Sequence, residues 1–149
     1  MDKNMPKYKS YRNAYDQIKL AIDAGFFLEA ITIEESILTD RLFRFCKDHG
    51  MKKPIDRATL GDVLRVLQGL PAETQDFENI DFLPSLIEFW DNRNICLHQI
   101  VKSGPGEPTI DFVEIIDRAR ITAISGKALT KKVSNWAQRY KIGFLKKTT

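Results

Sequence analysis

The sequence predicts an all-α protein, an up-and-down bundle of four to five helices. Three observations predict it. Apolar residues recur at helical spacing along most of the chain, each periodic segment closes at Gly or Pro, and no stretch shows a convincing strand pattern. At 149 residues the chain fits one domain, 1–149, large enough to bury a real core. Its 43% hydrophobic and 29% charged residues are those of a globular protein, not a disordered tail.

The first helix is expected from Tyr11 to Ala24, capped by Ser10 and stopped by Gly25. The second carries the clearest stripe, Phe27, Ile31, Leu38, Leu42 and Phe45, with Ile33 and Ile37 flanking it and Gly50 as its stop. His49 falls in its last turn, where a donor suits the helix dipole, and reads as structural. A short third helix spans Thr59 to Leu70, with Thr59 and Asp62 spaced as a capping box and Gly69 and Pro71 closing it. Pro71 to Ile80 reads as loop. A fourth helix starts near Asp81, tolerates Pro84 in its first turn and runs to about Val101. The Ser103–Pro108 stretch breaks any helix but is too short to separate domains. A basic C-terminal helix follows from about 110 to 145, with Ser125-Gly126 as a candidate break. Leu129, Val133, Trp136, Tyr140 and Phe144 form its stripe.

Charge is unevenly spread. From Arg118 to Thr149 there are nine basic residues and no acidic one, while the preceding 117 residues carry 14 basic against 20 acidic. A basic end on an acidic body suggests a face for a polyanion or an acidic partner, or else a solvated helix end. Arg139, Tyr140 and Lys141, with Lys131 and Lys132, are residue types that hold single-stranded RNA. The two cysteines, Cys46 and Cys96, stand alone, so neither a zinc site nor a disulfide framework is expected and a reducing, cytoplasmic compartment is. The start is polar with no apolar run, so no signal peptide is expected. No stretch approaches the ~18 apolar residues of a membrane span.

Chemistry concentrates on the fourth helix. The phosphate-loop, HExxH and GxSxG patterns are missing, and with His49 at a helix end the reactive histidine is His98. An apolar stripe of Leu83, Ile87, Trp90, Leu97 and Val101 would include position 94, which holds Asn. A buried amide without partners costs about 1–3 kcal/mol, so Asn94 is networked or placed for use. Arg93 and His98 stand about 140° apart around the helix and roughly 7.5 Å along it. They flank the stripe on opposite sides, which favours a second chain bringing its own pair alongside. On the second helix Glu34 falls on the apolar stripe. A lone buried carboxylate calls for a cation or donor, with Arg93, Asn94 or His98 as candidates. Glu34 would then orient the active group or form a plain ion pair. Trp90, Trp136 and the tyrosines read as core in preference to base-stacking platforms.

Arg93-Asn94-Ile95-Cys96-Leu97-His98 resembles the R-N-x-x-x-H form of the motif of HEPN domains, over roughly Tyr11 to Val101. The resemblance implies a four-helix bundle with the motif on a late helix. It also implies a metal-independent, cofactor-free endoribonuclease whose dimer lines one cleft with two motifs, often a toxin or antiviral effector. By that resemblance Arg93 holds the scissile phosphate, His98 is the general acid or base, and Asn94 orients the phosphate or Arg93. The products would be a 2′,3′-cyclic phosphate and a 5′-hydroxyl. The chemistry fits: arginine grips phosphate bidentately, histidine titrates near neutrality, and RNA supplies its own nucleophile. Implied partners are RNA, a second copy, and an antitoxin or acidic partner protein. The alternatives are a non-catalytic module of the same type binding nucleotide, RNA or protein, and a plain helical interaction protein.

Overall fold

A computed structural model describes residues 5–98 and 111–148, with side chains to 143. Among these residues there are six helices and no strand: α1 (Met5–Ala24), α2 (Phe27–Asp48), α3 (Leu60–Gln68), α4 (Ala72–Phe77), α5 (Leu83–His98) and α6 (Phe112–Thr148). Val101 and the Ser103–Pro108 break lie outside the described residues.

The helix ends follow local chemistry. Gly25 (φ +82°) and Gly50 (φ +102°) take the left-handed conformation that closes α1 and α2. Beyond each, an N–H reaches back five residues, Phe26 to the Ala21 carbonyl at 2.7 Å and Met51 to that of Cys46 at 2.9 Å. Thr59 and Asp62 form the expected capping box at the start of α3. α1 begins earlier than expected. Pro6 is tolerated in its first turn, so Ser10 is interior and its hydroxyl donates to the Pro6 carbonyl instead of capping. The stretch read as loop contains α4. Its helix formers follow Pro71, the Gln75 amide donates to the Leu70 carbonyl, and Asn79 supplies the left-handed stop at φ +58°.

Four long helices alternate in direction around one core. α1 and α2 form a hairpin, with Tyr11 on α1 bonded to Asp40 on α2. α6 runs the same way as α2, since Glu34 meets Gly126 and Tyr140 bonds Asp48 further along both. α5 runs opposite to α6: Arg118 bonds Asn92 and, fourteen residues on, Lys132 meets Asp81. α2 is the central element, packed on α6, α1, α3 and α5. Its buried side includes Ile31, Leu38, Leu42 and Phe45, as the stripe predicts. Burying such side chains stabilises by about 1.5–3 kcal/mol each. Trp136 is buried beside Phe45 and Phe82, and its indole N–H donates to the Glu78 carbonyl at 2.7 Å. His49 is structural: Nδ1 lies 2.8 Å from the Phe45 carbonyl oxygen and the ring stacks on Phe45.

α6 runs as one helix through Ser125-Gly126, where Gly126 leaves room for the Glu34 and Phe89 side chains. The stripe on α5 needs correction, as it is turned from its expected position. The buried residues are Leu86, Phe89 and Cys96, whereas Leu83, Ile87, Trp90, Asn94 and Leu97 are half-buried. α5 is covered on two sides, by α2 and α6 on one and by α3 on the other, where Trp90 lies against Gly61. No single apolar stripe could therefore mark its inner face.

Candidate functional site

Arg93 follows Phe89 by four residues and precedes Cys96 by three, which turns it toward α2. There its Nε donates to Glu35 Oε2 at 2.8 Å and its Nη1 to Asn94 Oδ1 at 3.0 Å. The guanidinium also sits over the Trp90 ring, 5.0 Å from its centroid. Arg93 and Glu35 are only 20% and 17% exposed, so their attraction is screened less than that of a surface pair. A carboxylate, an amide and an aromatic face together fix one arginine. His98, in the last turn of α5, is exposed. Within one chain the motif's arginine and histidine do not converge, as the 140° spacing requires.

Glu34 is not the partner of that arginine. The expected contact with Arg93, Asn94 or His98 is not made; its neighbour Glu35 makes it. One residue is 100° of helix, enough to turn Glu35 to α5 and Glu34 to α6. Glu34 is fully buried, and neither carboxyl oxygen has a hydrogen-bond partner among the described residues. It packs against Gly126, which has no Cβ to exclude it and whose missing side chain the Phe89 ring also borders. Burial raises its pKa to about 9, opposed by Lys127, so the group is a neutral acid at pH 7. The sequence signal for its burial was sound; that for its partner was off by one position. Burial also pushes the Cys46 thiol up to about 12 and raises that of Cys96, where Arg118 opposes the shift. Neither is primed as a nucleophile.

The four basic residues read as RNA contacts are all exposed, but they do not gather at the motif. Arg118 meets Asn92 one residue before Arg93, and Lys131, Lys132, Arg139 and Lys141 follow 13 to 23 residues later on α6. At 1.5 Å per residue that is about 20–35 Å away. Lys132 is drawn to Asp81 at 3.5 Å, Arg139 borders a hollow beside Phe77 and Trp136, and Lys141 borders a cleft against α1 and α2. Two features near the motif escaped the sequence reading. Glu35 could have been found as the acidic residue at the edge of the α2 stripe. Val113, Ile121 and Ile124, 74%, 54% and 49% exposed, lie on one outer face of α6 near Arg118; their i, i+8 and i+11 spacing was the available signal.

The fold and this cluster define a helical bundle that presents a braced arginine and an open histidine at the end of one helix. Comparison of the chain with family models, with curated proteins and with solved structures gives no match. No helix among the described residues is long and apolar enough to cross a membrane.

Proposed function

We propose that the chain is a metal-independent endoribonuclease of the HEPN type, working in the cytoplasm as a homodimer in toxin or antiviral defence. The observation that carries this reading is the bracing of Arg93 by Glu35, Asn94 and Trp90, six positions of which, 93 to 98, end on an open His98. The braces occupy Nε and Nη1 of the guanidinium, and its Nη2 edge, bonded to no other described residue, would take a phosphate oxygen. Asn94, in this reading, supports Arg93 instead of touching substrate.

In the reaction, His98 takes the proton of a ribose 2′-hydroxyl, and that oxygen attacks the neighbouring phosphorus. The bond from phosphorus to the 5′-oxygen breaks, and the leaving oxygen receives a proton from the partner's His98. A 2′,3′-cyclic phosphate and a 5′-hydroxyl result, and Arg93 offsets the negative charge that grows on the phosphoryl oxygens. A second copy is required because one motif supplies a single histidine for two proton transfers. The exposed Val113, Ile121 and Ile124 beside the motif are the kind of surface a second copy covers.

The test is cleavage of mixed RNA in EDTA by the wild type, Arg93→Lys and His98→Ala. Arg93→Lys keeps a charge opposite Glu35, so loss of activity reports on phosphate binding and not on folding. Cleavage in chelator with cyclic-phosphate ends, lost in both folded variants, supports the reading; a strict monomer by sedimentation, or activity retained in His98→Ala, refutes it. One observation favours a second reading, a non-catalytic module binding nucleotide, RNA or a partner protein. Glu35 already matches the charge of Arg93, as in a structural ion pair. RNA binding with no cleavage in any condition would select it.

A further inference from the structure

The start of α1, the second half of α2 and the end of α6 enclose a cleft of about 370 Å³. Among its described lining residues the cations Lys7, Arg41 and Lys141 outnumber the one carboxylate, Asp40. Asp40 is already engaged by Lys7 at 3.2 Å and by the Tyr11 hydroxyl, so the cleft keeps a positive excess. Arg41 is stacked on the Tyr11 ring, 3.9 Å from its centroid, and its Nε has no hydrogen-bond partner among the described residues.

Three aromatic rings share the same cleft. Tyr8 is 59% exposed. Tyr11 and Tyr140 are half-buried and tied by their hydroxyls to Asp40 and Asp48, which fixes their rings. One face of Tyr140 is covered by Trp136, stacked 5.5 Å away at 9°, and Arg41 covers Tyr11. Cations interleaved with anchored rings suit phosphates alternating with flat bases. An acidic peptide would use the cations and leave the rings idle, and a duplex is too wide for a hollow of this size.

We propose that this cleft is a binding site for single-stranded nucleic acid, which the nuclease reading makes RNA. It is assembled by residues far apart in sequence, 7 to 11, 40 to 44 and 137 to 141. Among the basic residues that the composition singles out near the C-terminus, Lys141 enters it, and Lys131, Lys132 and Arg139 do not. The strand would be held at the end of the bundle opposite His98, so recognition and cutting use separate surfaces.

The test measures fluorescence anisotropy of a labelled 12-nucleotide oligouridylate in EDTA. All proteins carry His98→Ala to keep the strand intact. Lys141→Glu and Tyr8→Ala sit at exposed positions and are not expected to disturb the core. Lys141→Glu is expected to weaken binding about tenfold, and Tyr8→Ala about fivefold or more. Lys19→Glu, an exposed change on α1 outside the cleft, should leave binding as it was. With Arg41 and Lys141 each meeting a phosphate, log K should fall against log salt with a slope of about −1.4, made shallower by about 0.7 in Lys141→Glu. Binding unchanged in both cleft variants overturns the proposal. So does equal binding of a duplex, tighter binding of the matching DNA strand, or displacement by polyglutamate at the same charge concentration. Loss of cleavage in every assay with cleft-dependent binding intact would remove the nuclease reading and leave this site standing.

Discussion

The buried acid on α2 sets up a measurable link between pH and folding. Glu34 lies in the core with no hydrogen-bond partner on either oxygen among the described residues, and burial raises its pKa from 4.5 to about 9. Burial drives the shift and Lys127 opposes it, with Gly126 of α6 beside the carboxyl. Above pH 4.5 the unfolded chain releases this proton and the folded chain retains it. The native state then binds more protons, so stability falls as pH rises, by about 1.4 kcal/mol per pH unit while both conditions hold. From pH 5 to pH 8 the loss is roughly 4 kcal/mol, a large part of the 5–15 kcal/mol of a typical domain. Glu34→Gln preserves the shape and abolishes the titration. Urea unfolding of both proteins at pH 5, 6, 7 and 8, at fixed ionic strength, isolates the group, because every other titration cancels in the difference. The variant should gain on the wild type steadily with pH, at unchanged m-value. A difference that stays flat across the range would show that Glu34 is ionised and partnered, and the account of this site would be wrong.

Two further outcomes follow from the same packing. Gly126→Ala places a Cβ against the Glu34 carboxyl and 2.7 Å from the Phe89 ring, so it should destabilise by about 1–3 kcal/mol of overpacking, less about 1 kcal/mol of gained helix propensity. Adding Glu34→Ala should recover part of that loss, a coupling a double-mutant cycle of melting curves would read. Asp62→Ala removes the α3 capping box and the ion pairs with Lys53 and Arg65 and should cost about 1–2 kcal/mol near neutral pH. Backbone donation from Thr59 leads the effects that hold Asp62 at about 2, below its usual 3.8. Its contribution is therefore present above pH 3.8 and disappears as pH falls toward 2, which denaturation midpoints at pH 5, 3 and 2 would check.

The bundle was legible because its stops and stripes are local. Gly25, Gly50 and the Thr59–Asp62 pair act within a few residues, and α2 shows one apolar side to most of its neighbours. α5 was harder to read, since helices cover it from two directions and its buried positions 86, 89 and 96 are not those of its strongest apolar pattern. The burial of Glu34 could be read from spacing, but whether position 34 or 35 reaches Arg93 depends on the angle at which α2 and α5 face each other. That angle is a tertiary property. The cleft of Lys7, Arg41 and Lys141 was hidden for the same reason, as its members come from three helices whose adjacency no local pattern encodes.

Trp90 has an optical consequence. It carries the Arg93 guanidinium on one side and lies against Gly61 on another, while the only other indole, Trp136, is enclosed among aromatic rings. A Trp136→Phe protein would thus contain a single emitter placed beside the charge that grips phosphate. Any ligand that draws that cation aside would alter the electric field on the indole and shift its emission, without a label and without turnover.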